Sequence, residues 1–314
     1  MIYSEVLLSA PILFFLLGLI ARLIKSDLEV PETLVKFFSL YILSALGLKG
    51  GVHIAQTGLS REAISIFIIA ILGALVVGLI AYFLFKMVLK KDTAAACASS
   101  YGSVSAVTFI TGIACLDRLG LAYSPYMIAC MALMESPAII LAIILYKKNT
   151  KSLKSSFLHG FTNQSVILLI GGLLIGLCLS HTAWLNISTF YEGIFNGMLT
   201  LFLLELGLLA AKQLPDLKKA PRSVFILALA IPIVAAFMCL GICKLMGLPA
   251  GDTFLLMLLF GSASYIAAPA AMRTLIPSAK PSIYLSLAIG VTFPFNILLG
   301  IPFYLWLLSK IYGF

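Results

Sequence analysis

Ten apolar runs, each near the length that crosses a lipid bilayer, set the limits on what this chain can fold into. They lie at about 5–24, 32–49, 62–86, 93–116, 123–146, 164–180, 193–212, 222–245, 252–276 and 283–309. A membrane-spanning helix takes about 20 such residues. Hydrophobic residues make up 62% of the 314 and charged ones only 11%, with a mean hydropathy of +1.13. A soluble domain carries roughly a quarter charged residues on its surface, so soluble enzymes and binding modules are excluded. The spacing predicts an all-α integral membrane protein. The first run has no basic leading segment and no clean cleavage site, so it is read as a retained helix.

The net charge of +9 fits a loop bias better than a nucleic-acid surface. If the runs alternate in direction, Lys49, Arg61, Arg118, Lys244 and Lys310 fall on the side of both termini, and the other Lys and Arg residues fall on the opposite side. Positive residues favour the cytoplasmic side, which places both termini outside the cytoplasm. The longest basic connection, from Tyr146 to Gln164, holds four lysines. It reads as a solvated or lipid-facing linker, with a docking segment for a regulator as the alternative.

Matches recur at a shift of about 160 residues: "LGLKGG" from Leu46 with "LGLLAA" from Leu206, Ser60-Arg61 with Pro221-Arg222, and Asp92-Thr93 with Asp252-Thr253. Pro125 with Pro281 and Pro137 with Pro294 continue the order. Five spans per half force the second half to enter from the opposite face, the inverted-repeat plan of secondary transporters. The expected organisation is a 5+5 inverted repeat: residues 1–150, a linker over 151–163, and residues 164–314, with core and gate domains drawn from both halves.

The fourth run of each half carries a polar, glycine-containing patch at mid-depth, near Gly102, Ser103 and Ser105 and near Gly261, Ser262 and Ser264. Irregular backbone in hydrocarbon survives only against protein or a wet cavity. Each break is expected to restart a helix at mid-membrane with unpaired amides and its positive end exposed. Two such ends brought together would hold a small anion, with serine hydroxyls as donors and glycine permitting close approach. Close helix packing through small residues is the competing reading.

Glu135, just before Pro137, is the strongest charged candidate within a run. Its carboxylate and the carbonyls freed by the proline are suited to a cation, or else it is protonated and bonded to a neighbouring helix. Glu205 lies deep in another run and Arg273 near the end of its own. Cys239 and Cys243, one helical turn apart, have no His or carboxylate companion in that run and read as packing residues. His53, His159 and His181 show no metal-ligand spacing, and no nucleophile elbow, phosphate loop or zinc motif is present. No enzyme is indicated.

The stretches "GLKGG" at Gly47, "YGSVSAVT" at Tyr101, "MESPA" at Met134 and "RTLIPSAKPS" at Arg273 resemble the cyanobacterial sodium-dependent bicarbonate transporters of the SbtA type and their bacterial relatives. The family's corresponding stretches are a GLTGG-like turn, FGAVSGST, MDIPA and an LRAGIPSANPS-like end. The resemblance covers nearly the whole chain. It implies a ten-helix inverted repeat, commonly a homotrimer, that takes up bicarbonate with sodium and is regulated by a PII-like cytoplasmic protein. By motif position it assigns ion contacts to Ser105, Thr108, Glu135, Ser262 and Ser264. Tyr265 stands where the family has an aspartate, and Ala263, Ala267, Ala106 and Val107 replace small or hydroxylated residues. The implied sodium shell is thereby poorer in oxygen, while the Tyr265 phenol is suited to donate to an anion.

The expected function is secondary transport of a small anion, bicarbonate first, across a bacterial plasma membrane, with sodium as the candidate coupling ion. The substrate-binding set is Gly102, Ser103, Ser105, Thr108, Gly261, Ser262, Ser264 and Tyr265, and the cation-binding set is Ser105, Thr108, Glu135 and Ser264. An organic carboxylate symporter and a non-transporting sensor with a cytoplasmic partner are the alternatives.

Overall fold

The computed structural model describes residues 7–58, 61–146, 164–217 and 221–314. The basic linker at 151–163, Ser60 of the repeat match and His159 lie outside the described residues. In chain order the helices are α1 (Ala10–Leu23), α2 (Glu32–Thr57), α3 (Arg61–Lys86), α4 (Lys91–Gly102), α5 (Ala106–Leu119), α6 (Met127–Tyr146), α7 (Gln164–Cys178), α8 (His181–Ser188) and α9 (Phe195–Leu217). They continue with α10 (Arg222–Met246), α11 (Ala250–Phe260), α12 (Ala267–Leu275) and α13 (Pro281–Tyr312). Among the described residues, seven helical stretches are long and apolar enough to cross a membrane, and Ala10–Leu23, Val166–Cys178 and Ala250–Phe260 are shorter apolar helices.

Two boundaries differ from the sequence reading. The run ending at residue 49 continues as helix to Thr57, and the run starting at 193 is preceded by helix from His181, joined through wide π turns at Thr189–Gly193. Hydropathy falls at the polar ends of both helices, yet backbone hydrogen bonding carries the helix on. α13 contains π segments at Ala288–Thr292 and Asn296–Gly300. Pro294 sits between them; it has no N–H to give and crowds the carbonyl four residues back, which the wider turns accommodate.

Exposure is inverted relative to a soluble protein. On α3, Ile64, Ile68, Leu72 and Val76 form an exposed stripe at helical spacing, and α10 exposes Ile226, Val234 and Phe237. Such stripes suit lipid tails. By contrast every described residue of α4 from Thr93 to Gly102 and of α11 from Gly251 to Phe260 is buried. A helix buried on all sides sits inside the protein and not at its rim. The two broken segments therefore occupy the middle of the molecule.

Glycine sets the closest helix contacts. α2 packs along α7 and α1 along α9. A Cβ on Gly51 would collide with the Leu173 carbonyl, one on Gly176 with the Leu48 carbonyl, and one on Gly47 would lie 2.8 Å from the Leu169 carbonyl. Gly18 and Gly207 meet the facing backbones of α9 and α1 in the same way. Small residues let membrane helices approach backbone to backbone, where dispersion and not hydrophobicity holds them.

The connections into α6 and α13 each lean on the matched Asp-Thr pair of the opposite half. Ser124 donates its N–H and its hydroxyl to Asp252, each at 2.6 Å, and the Lys280 N–H donates to Thr93 Oγ1 at 3.3 Å. Gly51→Leu is expected to push α2 off α7, at a cost of about 1–3 kcal/mol or more for a forced backbone shift. Gly171→Ala, whose added Cβ meets nothing within 4 Å, is expected to be neutral or mildly stabilising. Thermal unfolding of the two variants in detergent checks this.

Candidate functional site

Helix α4 ends where Gly102 and two serines weaken the ladder. Serine competes for backbone groups with its own hydroxyl, and glycine gives up the most chain entropy in a helix. Ser103 turns extended at φ −88°, ψ −176°, and Ser105 follows at φ −95°, ψ 104° before α5 resumes. The second break runs from Gly261 to Ile266, after which α12 begins. Pro269 falls in the first turn of α12, where its missing N–H costs nothing.

The two breaks cross and hold one another. The Ser105 N–H donates to Ser262 Oγ at 2.9 Å, and the Ser264 N–H donates to the Ser100 carbonyl at 2.7 Å. Each resumed helix is capped by the equivalent serine: Ser105 Oγ accepts from the Thr108 N–H at 3.2 Å, and Ser264 Oγ from the Ala268 N–H at 3.2 Å. Helix α13 supports both breaks. Asn296 Nδ2 donates to the Gly261 carbonyl at 2.8 Å, while Thr292 donates to the Ala228 carbonyl and meets the Tyr101 hydroxyl, both at 2.9 Å.

The expectation of bare amino ends thus needs correcting, since the two serine caps satisfy one amide on each helix. Among the described residues no backbone carbonyl takes the amides of Ala106 and Val107, or of Ile266 and Ala267. All four residues line one small cavity of about 20 Å³, together with Ser105, Ser264, Tyr265 and Glu135. That is room for about one water-sized particle. Glu135 is 2% exposed, and its Oε2 atom, like the Tyr265 hydroxyl, has no hydrogen-bond partner. Ser39 and Ile42 of α2 and Phe202 of α9 close the cavity on the other side.

Of the residues singled out in the sequence, Ser105, Ser264, Tyr265 and Glu135 meet on this cavity. Gly102, Ser103, Thr108, Gly261 and Ser262 do not line it. Gly102 packs against Ala74, Gly78 and Ala138, and Gly261 against Pro232 and Ala236, so close packing accounts for both glycines. Ser262 acts by holding the Ser105 amide, and Thr108 by donating its hydroxyl to Ser105 Oγ at 2.9 Å. Ser103 Oγ is buried without a partner. Glu205 is half-buried and off the cavity, and Arg273 is exposed at the end of α12. The sequence reading missed Thr292 and Asn296, which no local pattern marks. It also passed over the pentapeptides Tyr101-Gly-Ser-Val-Ser and Phe260-Gly-Ser-Ala-Ser, which align position by position and were legible.

Among the described residues, a larger cavity reaches the site from one end. A cavity of about 480 Å³ reaches the site from the end of the molecule carrying Lys36 and Gln164, sharing Ser39, Phe202, Tyr265, Ile266 and Ala267 with the small one. Toward the other end buried Ile110 and Ile113 intervene. Beyond them Lys49 of α2 and Asp117 of α5 form an ion pair at 3.6 Å, beside a separate cavity of about 70 Å³.

A family model described as the Na+-dependent bicarbonate transporter superfamily matches residues 10–309, nearly the whole chain. The chain belongs to this superfamily. No curated protein matches it in a direct sequence comparison. Membership makes it a multi-pass membrane protein of a bicarbonate transporter superfamily, in agreement with the resemblance carried by its motifs.

Ser262→Ala would leave the buried Ser105 N–H without an acceptor, a loss of about 1–3 kcal/mol. Ser103→Ala removes a hydroxyl that bonds to nothing. Thermal unfolding should therefore fall by several degrees for Ser262→Ala and stay unchanged for Ser103→Ala; equal shifts would contradict the crossed-break geometry.

Proposed function

We propose that this chain is a secondary carrier of a small monovalent anion, bicarbonate in the first instance by membership of its superfamily. One observation carries the reading: two broken helices cross at their serines and turn the amino ends of α5 and α12 onto a shared buried cavity. Each end carries roughly half a positive charge. Together they balance about one monovalent anion without a fixed cation, which is how a site can bind an ion and still release it.

The ten-helix, 5+5 inverted repeat is part of this proposal. It is supported by the aligned pentapeptides at the two breaks, by the paired serine caps, and by the reciprocal leaning of Ser124 on Asp252 and Lys280 on Thr93. In that plan α1, α2, α7 and the α8–α9 unit form a gate, and the other helices form a core that carries the site. The positive-inside bias places the Lys36 and Gln164 end in the cytoplasm. The larger cavity then marks an inward-facing state, closed outside by Ile110, Ile113 and the Lys49–Asp117 pair. Alternating access is the core moving against the gate around the fixed site. A homotrimer, a PII-like regulator and sodium coupling rest on the family resemblance alone.

A carboxylate carrier is the second reading. The cavity of about 480 Å³ beside the anion site, lined by Val35, Leu206, Leu209 and Leu275, has room for an organic tail that bicarbonate lacks.

The test is uptake of radiolabelled bicarbonate by the purified chain in liposomes, with and without competing small carboxylates, against empty vesicles. Protein-dependent uptake is expected. Ser105→Ala and Tyr265→Phe should each lower its rate about tenfold, the scale of one or two lost hydrogen bonds to an anion, with insertion unchanged. Gly197→Ala, whose added Cβ meets nothing within 4 Å, should transport as the wild type does. Uptake no faster than in empty vesicles for every anion, or unaffected by both site variants, would refute the assignment.

A further inference from the structure

Helix α2 borders a series of cavities in the order of its residues. Val35, Lys36 and Ser39 line the cavity of about 480 Å³ at one end, and Ser39, Ile42 and Leu43 line the site itself. Ala45, Leu46 and Lys49 line the chamber of about 70 Å³ beyond it, and Lys49, Gly50 and His53 line an outermost cavity of about 320 Å³. Helix α5 keeps pace from the site outward, with Ile110, then Ile113 and Asp117, then Gly120 just past its end. Lys36 and Lys49 are about 20 Å apart along α2 at the helical rise of about 1.5 Å per residue, and Ser39 and Ile42 of the site lie between them.

The two lysines stand in opposite circumstances. Lys36 is exposed, no carboxylate among the described residues pairs with it, and it is the one charged residue among those lining the cavity of about 480 Å³. Gln164 and Thr274 add a side-chain amide and a hydroxyl to the same walls. An unpaired ammonium at the mouth of a cavity raises the local concentration of anions there. Lys49 is engaged instead: its Nζ lies 3.6 Å from Asp117 Oδ2, and Glu192 lines the same chamber. With two carboxylates to one ammonium, that end offers an anion no net positive charge. The pair is partly exposed, at 31% and 48% of the two side chains, and such pairs shift an equilibrium by about fivefold or less. It is weak enough to open and re-form in every cycle. The Tyr123 hydroxyl faces Asp117, which gives the carboxylate a donor when the lysine leaves.

We propose that Lys36 and Lys49 are anion-binding residues at the two mouths of the carrier, and that Asp117 masks Lys49 while its mouth is shut. This rests on the carrier reading above and adds where the anion is held before and after the central site. Lys49 belongs to the gate and Asp117 to the core. A movement that parts α2 from α5 takes Asp117 away, and the freed ammonium meets the incoming anion. From there the anion passes Leu46 and Ile42 to the crossed breaks. When the seam closes, Asp117 recovers Lys49 and the outer mouth loses its hold on anions. On the opposite side Lys36, one turn from Ser39, receives the anion as it leaves. The scheme holds whichever cation accompanies the anion.

A lysine near the end of a membrane helix ordinarily reaches for lipid headgroups. These two border cavities instead, and Lys49 is held by a carboxylate of another helix. A second bland role is a clamp that only ties α2 to α5. The two roles differ in sign. Losing either partner of a clamp has the same effect, whereas losing Lys49 removes an anion contact and losing Asp117 uncovers one.

The experiment uses the full chain inserted in one orientation in liposomes, with radiolabelled bicarbonate, equal sodium on both sides and an alkaline medium in which little of the label is carbon dioxide. Transport from the Lys49 side and from the Lys36 side is measured separately. Lys49→Gln should raise KM on its own side about three- to fivefold, the scale of one contact to a half-exposed charge, and Asp117→Asn should lower it by a similar factor. Combined with Lys49→Gln, Asp117→Asn should have no further effect on KM. Lys36→Gln should raise KM from its side about three- to fivefold as well. A second readout needs no transport: mass spectrometry of lysines treated with an amine-reactive ester at constant ionic strength. Bicarbonate should slow the labelling of Lys36 in the wild type and of Lys49 in Asp117→Asn, and should leave Lys86 and Lys310, which line neither mouth, unaffected. KM shifts of the same sign in Lys49→Gln and Asp117→Asn, or labelling of both lysines indifferent to bicarbonate, would overturn the proposal and leave the carrier reading intact. Protection of both lysines without uptake by the wild type would do the reverse.

Discussion

Two hydrogen bonds between interrupted helices organise this molecule: the Ser105 amide to the Ser262 hydroxyl, and the Ser264 amide to the Ser100 carbonyl. Each break exposes backbone groups that hydrocarbon cannot satisfy, at several kcal/mol per group. The cheapest partner for one break is the other. Burial of α4 and α11 on every side follows, because broken segments at mid-depth must be shielded by whole helices. The π-bulged α13 fits the same need, bringing Thr292 and Asn296 to carbonyls that a straight helix would leave alone.

Satisfying the breaks is incomplete in a way that creates the site. The serine caps quiet one amide of α5 and one of α12, while the amides at the very start of each helix, the Tyr265 phenol and the Ser105 hydroxyl remain as donors around a space of about 20 Å³. Fixed dipoles that converge on an empty space favour a negative occupant. Among the described residues Glu135 is the only acid on the cavity wall. Glycine contacts around Gly51 and Gly176, and around Gly18 and Gly207, keep their helix pairs rigid by backbone approach.

Much of this was legible in the residues. Hydropathy located the apolar helices, seven of them long enough to cross a membrane among the described residues, and the polar patches at Gly102–Ser105 and Gly261–Ser264 located both breaks. Glu135 stood out because a carboxylate in an apolar run is costly. The lengths of α2 and of the helix from His181 were misjudged, since hydropathy marks where lipid ends and says nothing about where backbone hydrogen bonding ends. Gly102 and Gly261 read as candidate ligands, but they pack against Ala74, Gly78 and Ala138 and against Pro232 and Ala236. One sequence cannot tell a glycine that meets a ligand from one that meets a helix.

By itself, then, the chain determined its membrane class, the position of both interruptions and the presence of one acid among small polar residues, because these depend on local composition measured against the bilayer. The tertiary structure alone decided which serine oxygens are spent on amides and which hydroxyls remain to donate, and that Glu135 shares a wall with Tyr265. Those are relations between atoms far apart in the chain. They depend on how two half-helices cross, and no window of sequence contains both.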